Sequence, residues 1–304
     1  MNIFSFKAHF DSEEACRNHF KAERDKIGVA CQRCGHDKHY WIKSRWSYEC
    51  KNCRSRTSLR SGTIMQGSNL SFLIWYKTMF LMAATKKGFS SKEIQKQLGL
   101  KRYEPVWYMV HKLRRAMGNR DARYTLEGMI EMDEGYFTIE SSEVEKAKAK
   151  RGRGAAGKAN VSIMAESTQL EDIETGKKTS QCRYFKAKVL GSHSHTAEEI
   201  DGTIKESFDE MSIVLTDDST SYVNISDYVE LHVSEKSSDQ FTKETLRWVH
   251  ITISNAKRNL LGNYHKIKGK YLQMYLNEFV YKLNRRYFGE KLFDRLVIAG
   301  ITGL

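Results

Sequence analysis

Two aspartates in this 304-residue chain each end a short apolar segment. Gly-Met-Ile-Glu-Met leads to Asp133, and Ser-Ile-Val-Leu-Thr leads to Asp217, 84 residues later. Each segment predicts a strand, so each delivers a carboxylate to a strand end. A buried carboxylate that lies beside another is usually paired with a cation or a metal. The pair therefore indicates a divalent-metal site, and the alternative is that each acid caps a following turn or helix.

Four of the six cysteines form a second cluster with metal-ligand spacing. Cys31 and Cys34 make one Cys-x-x-Cys pair, and Cys50 and Cys53 make another after fifteen intervening residues. Two such pairs are typical of a zinc ribbon, in which four thiolates hold a structural Zn²⁺ and leave no position open for water. The alternatives are disulfides, which an intracellular location disfavours, or a redox dithiol, which would not need the second pair.

Positive charge is concentrated in the N-terminal part of the chain. Residues 1–125 hold 25 Lys and Arg against 10 Asp and Glu, whereas residues 126–304 hold 25 against 27. This asymmetry indicates a polyanionic partner, most often nucleic acid, and the alternative is a generic basic surface. No segment resembles a signal peptide or a membrane span. We therefore expect a protein without a membrane partner, located in the cytoplasm and associated with the nucleoid.

Three helices are predicted after the ribbon. Apolar residues recur at helical spacing from Ser71 to Lys87, Ser90 opens a capping-box pattern, and Glu104 with Pro105 begins a third helix. A short helix, a glycine-containing turn and a basic second helix predict a helix-turn-helix, with a plain helical bundle as the alternative. The side chains expected to contact DNA here are Lys101, Arg102, Lys112, Arg114 and Arg115.

The second half of the chain predicts a mixed sheet that carries the two aspartates. Strands are predicted at 160–166 and 183–190, and a helix that begins near Thr196 precedes the Asp217 strand. Three strands, a helix and a further strand, with acids on the first and fourth strands, are the order of an RNase H-like fold. In that fold the two acidic strands are neighbours, so the carboxylates converge.

The expected fold class is multidomain α+β. The domains are an N-terminal helix with the zinc ribbon at 1–60, the helix-turn-helix region at 61–125, and an RNase H-like mixed α/β catalytic domain at 126–304. Within the last of these, the Gly/Ala/Lys-rich run 146–158 predicts a basic loop, which is either a solvated linker or a clamp on DNA.

The chain resembles the ISXO-like group of insertion-sequence transposases of the DDE superfamily, which carry an N-terminal zinc ribbon. The matching stretches are, in chain order, the ribbon, Ser-Ser-Lys-Glu-Ile, Glu-Met-Asp133-Glu, Thr-Asp217, Trp-Val-His250, Lys257-Arg258, Gly-Asn-Tyr-His265, and Tyr-Leu-Asn-Glu-Phe with Asn-Arg-Arg. Together they cover nearly the whole chain, and it is their order that makes the resemblance specific.

The resemblance implies a metal-dependent DNA transposase. It makes Asp133 and Asp217 the first two members of a metal-binding triad, and it places the third at Asn255, where many relatives have glutamate. Two Mg²⁺ or Mn²⁺ ions at these residues would support phosphodiester cleavage and strand transfer. An amide oxygen can bind Mg²⁺ but brings no charge, so weaker binding of the second ion is expected. Glu278 is the nearest downstream carboxylate able to substitute, and either a structural role or a contact with the metal ligands is expected for it.

The implied partners are double-stranded DNA, as element ends and as target, and further copies of the chain, because two ends must be joined. Lys257 and Arg258 are expected to hold the phosphate backbone near the site, or else to be simple surface charge. An alternative of another class is a DNA-binding regulator or domesticated remnant with an inactive RNase H-like domain. A nuclease or junction resolvase of the same fold is a third.

Overall fold

The structure is a computed structural model in which residues 1–140, 157–171, 173, 176, 178–190, 197–236 and 245–303 are described. Most of the basic run 146–158 therefore lies outside the described residues, as does Thr196. The chain forms two compact units, one of residues 1–120 with 285–304 and one of residues 121–284. Within the described ranges, no helix has both the length and the apolar character needed to cross a membrane.

The first unit begins with two helices and a small antiparallel sheet. In chain order these are α1 (Ile3–His9), α2 (Glu13–Ile27), β1 (His39–Ile42), β2 (Ser47–Cys50) and β3 (Arg56–Ser58), with the strands in the order β1-β2-β3. Arg24 of α2 is buried, and its guanidinium donates to the carbonyls of Leu59 at 2.6 Å and Ser61 at 2.5 Å. These bonds attach α2 to the chain that leaves the small sheet.

Three helices follow at the positions that the sequence predicts. They are α3 (Phe72–Ala84), α4 (Ser91–Gln97) and α5 (Glu104–Ala122). Ser90 Oγ accepts from the Glu93 backbone N–H, and the Glu93 carboxylate accepts from the Ser90 N–H, so the capping box predicted for α4 is confirmed.

The turn between α4 and α5 is held by a buried amide. Gly99 has φ +62°, a left-handed conformation in which a side chain would be strained. Gln95 is 8% exposed, and its Nε2 donates to the carbonyls of Leu100 at 3.0 Å and Lys101 at 3.2 Å. The conformation of this turn therefore depends on one glycine and one glutamine side chain.

The second unit is built on a five-stranded mixed sheet in the order β6-β5-β4-β7-β8. Its strands are β4 (Met129–Thr138), β5 (Lys158–Glu171), β6 (Lys178–Val189), β7 (Ile213–Asp217) and β8 (Leu231–Glu235). The first three form the antiparallel meander that the sequence predicts, whereas β7 runs parallel to β4 and β8 runs parallel to β7. The sequence pattern does not predict β8, an edge strand with mostly exposed side chains.

Helices cover both faces of this sheet. They are α6 (Ala197–Ser207), α7 (Arg247–Asn263) and α8 (Leu272–Asn284). Phe137 of β4 packs in one core with side chains of α7 and α8, whereas Ile130 and Met132 pack in another core with side chains of α6. Because side chains alternate along a strand, odd-numbered residues of β4 face α7 and even-numbered residues face α6.

The C-terminal helix α9 (Leu292–Thr302) belongs to the first unit. The Ile64 N–H donates to the Gly300 carbonyl at 3.1 Å, and the Phe293 ring lies against Phe6 and Tyr76. The sequence predicts that residues 285–304 belong to the domain that begins at 126. In the structure they instead form one compact unit with residues 1–120. The reason is the buried apolar face of α9, which is covered by helices of the first unit.

Candidate functional site

The four ribbon cysteines lie on two similar tight turns. The carbonyl of Cys31 accepts from Gly35 N–H at 2.8 Å, and the carbonyl of Cys50 accepts from Arg54 N–H at 3.1 Å. Gly35 and Arg54 each follow the second cysteine of a pair, and both have positive φ, +73° and +56°. The two knuckles thus repeat one backbone conformation, which suits glycine in the first and strains arginine in the second.

The sulfur geometry fits a tetrahedral zinc ion. All four Sγ atoms lie within 4.8 Å of one another, and the Cys31–Cys53 and Cys34–Cys50 pairs are each 3.6 Å apart. Sulfurs that each bind one zinc at about 2.3 Å in a tetrahedron are roughly 3.8 Å apart. Backbone N–H groups of the first knuckle lower the pKa of Cys31 to about 6, which favours the thiolate that binds metal. The predicted ribbon ligands are therefore brought together.

The basic residues of the helical region are placed less uniformly than the sequence suggests. Lys101 and Arg102 are exposed in the turn before α5, and Arg115 is exposed on α5 itself. Lys112 is half-buried, and its Nζ donates to the Gln66 carbonyl at 2.7 Å.

Arg114 is fully buried, so the expectation that it contacts DNA is wrong for this structure. It points into the same interior as Leu113 and Met117 because the buried sector of α5 is broader than a single apolar stripe.

The two aspartates occupy matching positions on adjoining parallel strands. Met129 pairs with Ile213 and Glu131 pairs with Leu215, so the same offset places Asp133 beside Asp217. Burial, together with the negative charge of Asp217, raises the pKa of Asp133 to about 7. The Glu134 N–H, which donates to Asp133 Oδ1 at 2.7 Å, and the positive charge of Lys257 act in the opposite direction. The two aspartates are therefore close enough for the charge of Asp217 to act on Asp133.

Helix α7 places a histidine against this pair. His250 Nε2 lies 3.6 Å from Asp133 Oδ2, and burial lowers the pKa of His250. Lys257 lies about two turns further along α7. It is half-buried, and its Nζ is 5.8 Å from the centre of the Phe137 ring. From the sequence, His250 could contact DNA or metal, although a structural role is the commoner one for a lone histidine. Its spacing of seven residues from Lys257 places both side chains on one side of α7.

The contacts described for Asn255 differ from those expected of a metal ligand. It is exposed, and its Oδ1 accepts from Arg258 Nη2 at 3.0 Å. Arg258 is exposed as well. None of the contacts described for Asn255 reaches Asp133 or Asp217, so its role as a ligand stays a prediction from the resemblance.

A second acid of the same strand holds α7 in place. Glu131 is 3% exposed, and its Oε2 accepts from the backbone N–H groups of Trp248 at 2.7 Å and Val249 at 3.2 Å. These are donors of the first turn of α7, which carries no side-chain cap of its own. Burial raises the pKa of Glu131 to about 7. The sequence signal for this role is its two-residue spacing from Asp133.

Glu134 and Glu278 lie in other surroundings. Glu134 points to the α6 side of β4, where it accepts from Asn160 Nδ2 at 3.2 Å. The pKa of the buried Tyr222 hydroxyl is raised mainly by burial, and next by the negative charge of Glu134. Glu278 is buried on α8 with Oε1 3.7 Å from Lys282 Nζ. This ion pair supports the structural role expected for Glu278.

The donor set at Asp133 and Asp217 fits a divalent cation. Two carboxylates and an imidazole are ordinary ligands of first-row and alkaline-earth ions. A cation there would also offset the burial and the negative charge of Asp217, which together raise the pKa of Asp133.

Comparison with protein-family models gives two matches. A model described as the ISXO2-like transposase domain matches residues 125–284, and one described as the transposase zinc-ribbon domain matches residues 11–56. No curated protein matches the chain. The first match spans more than half of the chain and includes both aspartates, and the second includes all four ribbon cysteines. The chain therefore belongs to the ISXO2-like family of insertion-sequence transposases of the DDE superfamily, with an N-terminal zinc ribbon.

Proposed function

We propose that this transposase cleaves DNA at the ends of its insertion sequence and joins the freed 3′ ends to target DNA, at a divalent-metal centre on Asp133 and Asp217. The observation that carries the proposal is the matched position of these two carboxylates on adjoining parallel strands. The sheet order β6-β5-β4-β7-β8, with three antiparallel strands followed by two parallel ones, supports an RNase H-like domain.

The residues of the proposed metal centre have different roles. Asp133 and Asp217 hold the negative charge that binds the cations, and β4 and β7 fix their separation. Two Mg²⁺ or Mn²⁺ ions, when bound, supply activation of water and stabilisation of the leaving oxygen. Lys257 places an ammonium near Asp133, where it would contact a scissile phosphate. Arg258, exposed on the same helix, would contact the backbone further away.

Recognition of the element ends is assigned to the first unit. Helices α4 and α5 with their glycine turn support a helix-turn-helix, and Lys101, Arg102 and Arg115 present exposed positive charge on it. Lys112 is a weaker candidate because it already donates to Gln66. Joining two ends in one reaction requires at least a dimer, assembled on nucleoid DNA in the cytoplasm.

Strand transfer with the flanking inverted repeats of the element tests this function. Asp133→Asn and Asp217→Asn keep the side-chain shape but remove a charged ligand, whereas Asp218→Asn changes the exposed neighbour of Asp217. We expect each ligand variant to lose more than about 100-fold in rate, because residues that only support metal ligands already account for 10–100-fold. Asp218→Asn should retain nearly all activity.

End binding measured on the same proteins separates the competing functions. The ligand variants should still bind the repeats, because the first unit is unchanged. Equal strand transfer by wild type and Asp133→Asn would refute the proposed chemistry. Binding of the repeats by a wild type that transfers no strands would favour the DNA-binding regulator.

A further inference from the structure

The two cysteine knuckles of the ribbon share one backbone conformation but carry different side chains. In each, the N–H of the first cysteine donates to the carbonyl five residues later at 2.9 Å. In this alignment the first knuckle is Cys-Gln-Arg-Cys-Gly and the second is Cys-Lys-Asn-Cys-Arg. The second knuckle therefore has Lys51 where the first has Gln32, and Arg54 where the first has Gly35. Two positive charges thus distinguish the second knuckle from the first.

The position of Arg54 is one that glycine fits better. Its φ is +56°, and that of Gly35 is +73°, in a region that side chains rarely adopt. The local contacts of Arg54 do not account for the arginine. Its side chain is 68% exposed, and its Nη1 is 3.8 Å from Glu49 Oε1, whereas Arg56 Nε already donates to the same carboxylate at 2.9 Å. Such an exposed pair adds little stability, and strained residues of this kind are concentrated at functional sites.

Both additional cations lie beside one aromatic ring. Tyr40 of β1 is 50% exposed, with Lys51 Nζ 4.8 Å and Arg54 Cζ 5.7 Å from its ring centre. The ring attracts each cation, so it holds two like charges near each other. An anion that contacts both would remove their mutual repulsion. The arrangement therefore suits a phosphate group.

The side chains around Tyr40 form an outer face of the small sheet. Tyr40 pairs with Glu49, and Glu49 pairs with Arg56, so these three side chains share one face. The next side chain of β2, Tyr48, points the other way, and its hydroxyl donates to a carboxylate of α2 at 2.7 Å. The face around Tyr40 thus lies away from α2. Its charged side chains are three cations and one carboxylate, namely Lys51, Arg54, Arg56 and Glu49.

We propose that Lys51 and Arg54, held beside Tyr40, bind the phosphate backbone of double-stranded DNA. The inference rests on the proposed function, since it adds a second contact to the end binding assigned to the first unit. Contacts with phosphates fix the position of a protein on DNA but carry no base information. The ribbon therefore adds affinity, and sequence selectivity comes from the helix-turn-helix.

An alternative role for these cations is charge balance within the ribbon. A zinc ion bound by four thiolates carries a net negative charge, and Lys51 and Arg54 flank two of the thiolates in sequence. Under this alternative, removing either cation lowers the zinc content of the protein. Under the proposal, the zinc content is unchanged and only DNA binding is weakened.

DNA binding by the zinc-loaded full chain separates these roles. Arg54→Gly and Lys51→Gln give the second knuckle the residues of the first. Arg33→Asn makes the reverse exchange, because it removes an exposed cation of the first knuckle and is therefore the matched control. Fluorescence anisotropy measures binding to two duplexes of equal length, one with the flanking inverted repeat and one with a scrambled sequence, over a range of salt concentrations. Elemental analysis and melting temperature report zinc content and stability.

We expect Arg54→Gly and Lys51→Gln each to weaken binding to both duplexes by the same factor, roughly 10-fold at low salt. Each should lower the slope of log affinity against log salt by about 0.9, the contribution of one phosphate contact. Arg54→Lys keeps the charge and should keep the slope. Arg33→Asn should weaken binding by no more than about 2-fold, as an ordinary surface substitution does. Arg54→Gly should keep its zinc and melt no lower than wild type, because glycine suits the left-handed conformation.

Three outcomes would overturn the inference. The first is wild-type binding by Arg54→Gly, and the second is an equal loss in Arg33→Asn, which would indicate a general effect of ribbon charge. The third is loss of zinc from Arg54→Gly, which would assign the cations to charge balance. The proposed function fails in a different way: equal affinity of wild type for the repeat and the scrambled duplex would refute end recognition. The difference between Arg54→Gly and Arg33→Asn would still decide the role of the second knuckle.

Discussion

Removing one member of the ion pair between Glu278 and Lys282 should strongly destabilise the second unit. The two groups lie 3.7 Å apart on consecutive turns of α8, and their side chains are only 5% and 8% exposed. Lys282→Met keeps an apolar stem of similar length but removes the cation next to a buried carboxylate. Breaking a buried pair in this way costs about 3–5 kcal/mol. We expect a decrease of that size in the free energy of unfolding of residues 121–284.

A second pair in the same unit provides the control. Lys188 and Glu206 are closer, at 2.9 Å, but their side chains are 48% and 66% exposed. Because an exposed pair contributes about 0–1 kcal/mol, Lys188→Met should cost less than Lys282→Met despite the shorter distance. Urea unfolding, with hydrogen exchange of α8 amides to assign the transition to this unit, measures both. An equal or larger effect of Lys188→Met would refute the reasoning.

The double variant Glu278→Leu with Lys282→Met extends the test to function. Replacing both members of a buried pair by apolar residues is often neutral or stabilising, so most of the lost stability should return. If Glu278 is structural, this folded double variant should also bind Mn²⁺ as tightly as wild type. Loss of Mn²⁺ binding in a fully stable double variant would instead make Glu278 a metal ligand.

Four further outcomes are expected. Cys34→Ser should abolish the single equivalent of zinc measured by elemental analysis, whereas Cys16→Ser should keep it, because the buried Cys16 is not part of the four-sulfur cluster. Addition of Mn²⁺ should raise the melting temperature more at pH 8 than at pH 6, because Asp133 has its pKa raised to about 7 and must lose its proton to bind. In the metal-free protein the same shift acts in the other direction: protonated Asp133 favours folding at low pH, and this contribution is lost as the pH rises from 3.8 through about 7. Glu131→Ala should cost about 2 kcal/mol or more in urea unfolding, because two N–H groups of α7 lose their acceptor, whereas Glu127→Ala, at a 60% exposed side chain, should cost about 0.5 kcal/mol or less.

Features that depend on local sequence could be predicted well. The Cys-x-x-Cys pairs indicate the ribbon because each pair fits within one tight turn, and Ser90 indicates the start of α4 because both capping bonds join residues three apart. The apolar segment before Asp217 correctly predicts a strand that ends at this acid, whereas β4 continues to Thr138, so the strand end predicted at Asp133 is wrong. Where the prediction is correct, the signal and the structure lie within a few residues of each other.

Features that depend on distant packing could not be predicted. Helix α9 joins a core built more than 200 residues earlier, as the bond from Ile64 to Gly300 shows. Arg114 carries a charged side chain of the kind that usually lies at the surface, and only the packing around α5 determines that it is buried. Strand β8 has few buried side chains, so its sequence carries little strand signal. A resemblance fixes the order of motifs along the chain, but not the direction in which Asn255 points from its helix.

The segment Glu131-Met-Asp133-Glu134 places three carboxylates of one strand in three different surroundings. Alternation directs Glu131 and Asp133 to the same face, where Glu131 binds the first turn of α7 and Asp133 meets the next residues of that helix. Glu134 points to the opposite face and bonds to Asn160. Glu131, which bonds to the start of α7, therefore lies only two residues from Asp133, which His250 of the same helix approaches. Loss of Glu131 would release the N–H groups of Trp248 and Val249 at the start of α7. Because His250 is the next residue of the helix, a displacement of the helix start would move it directly.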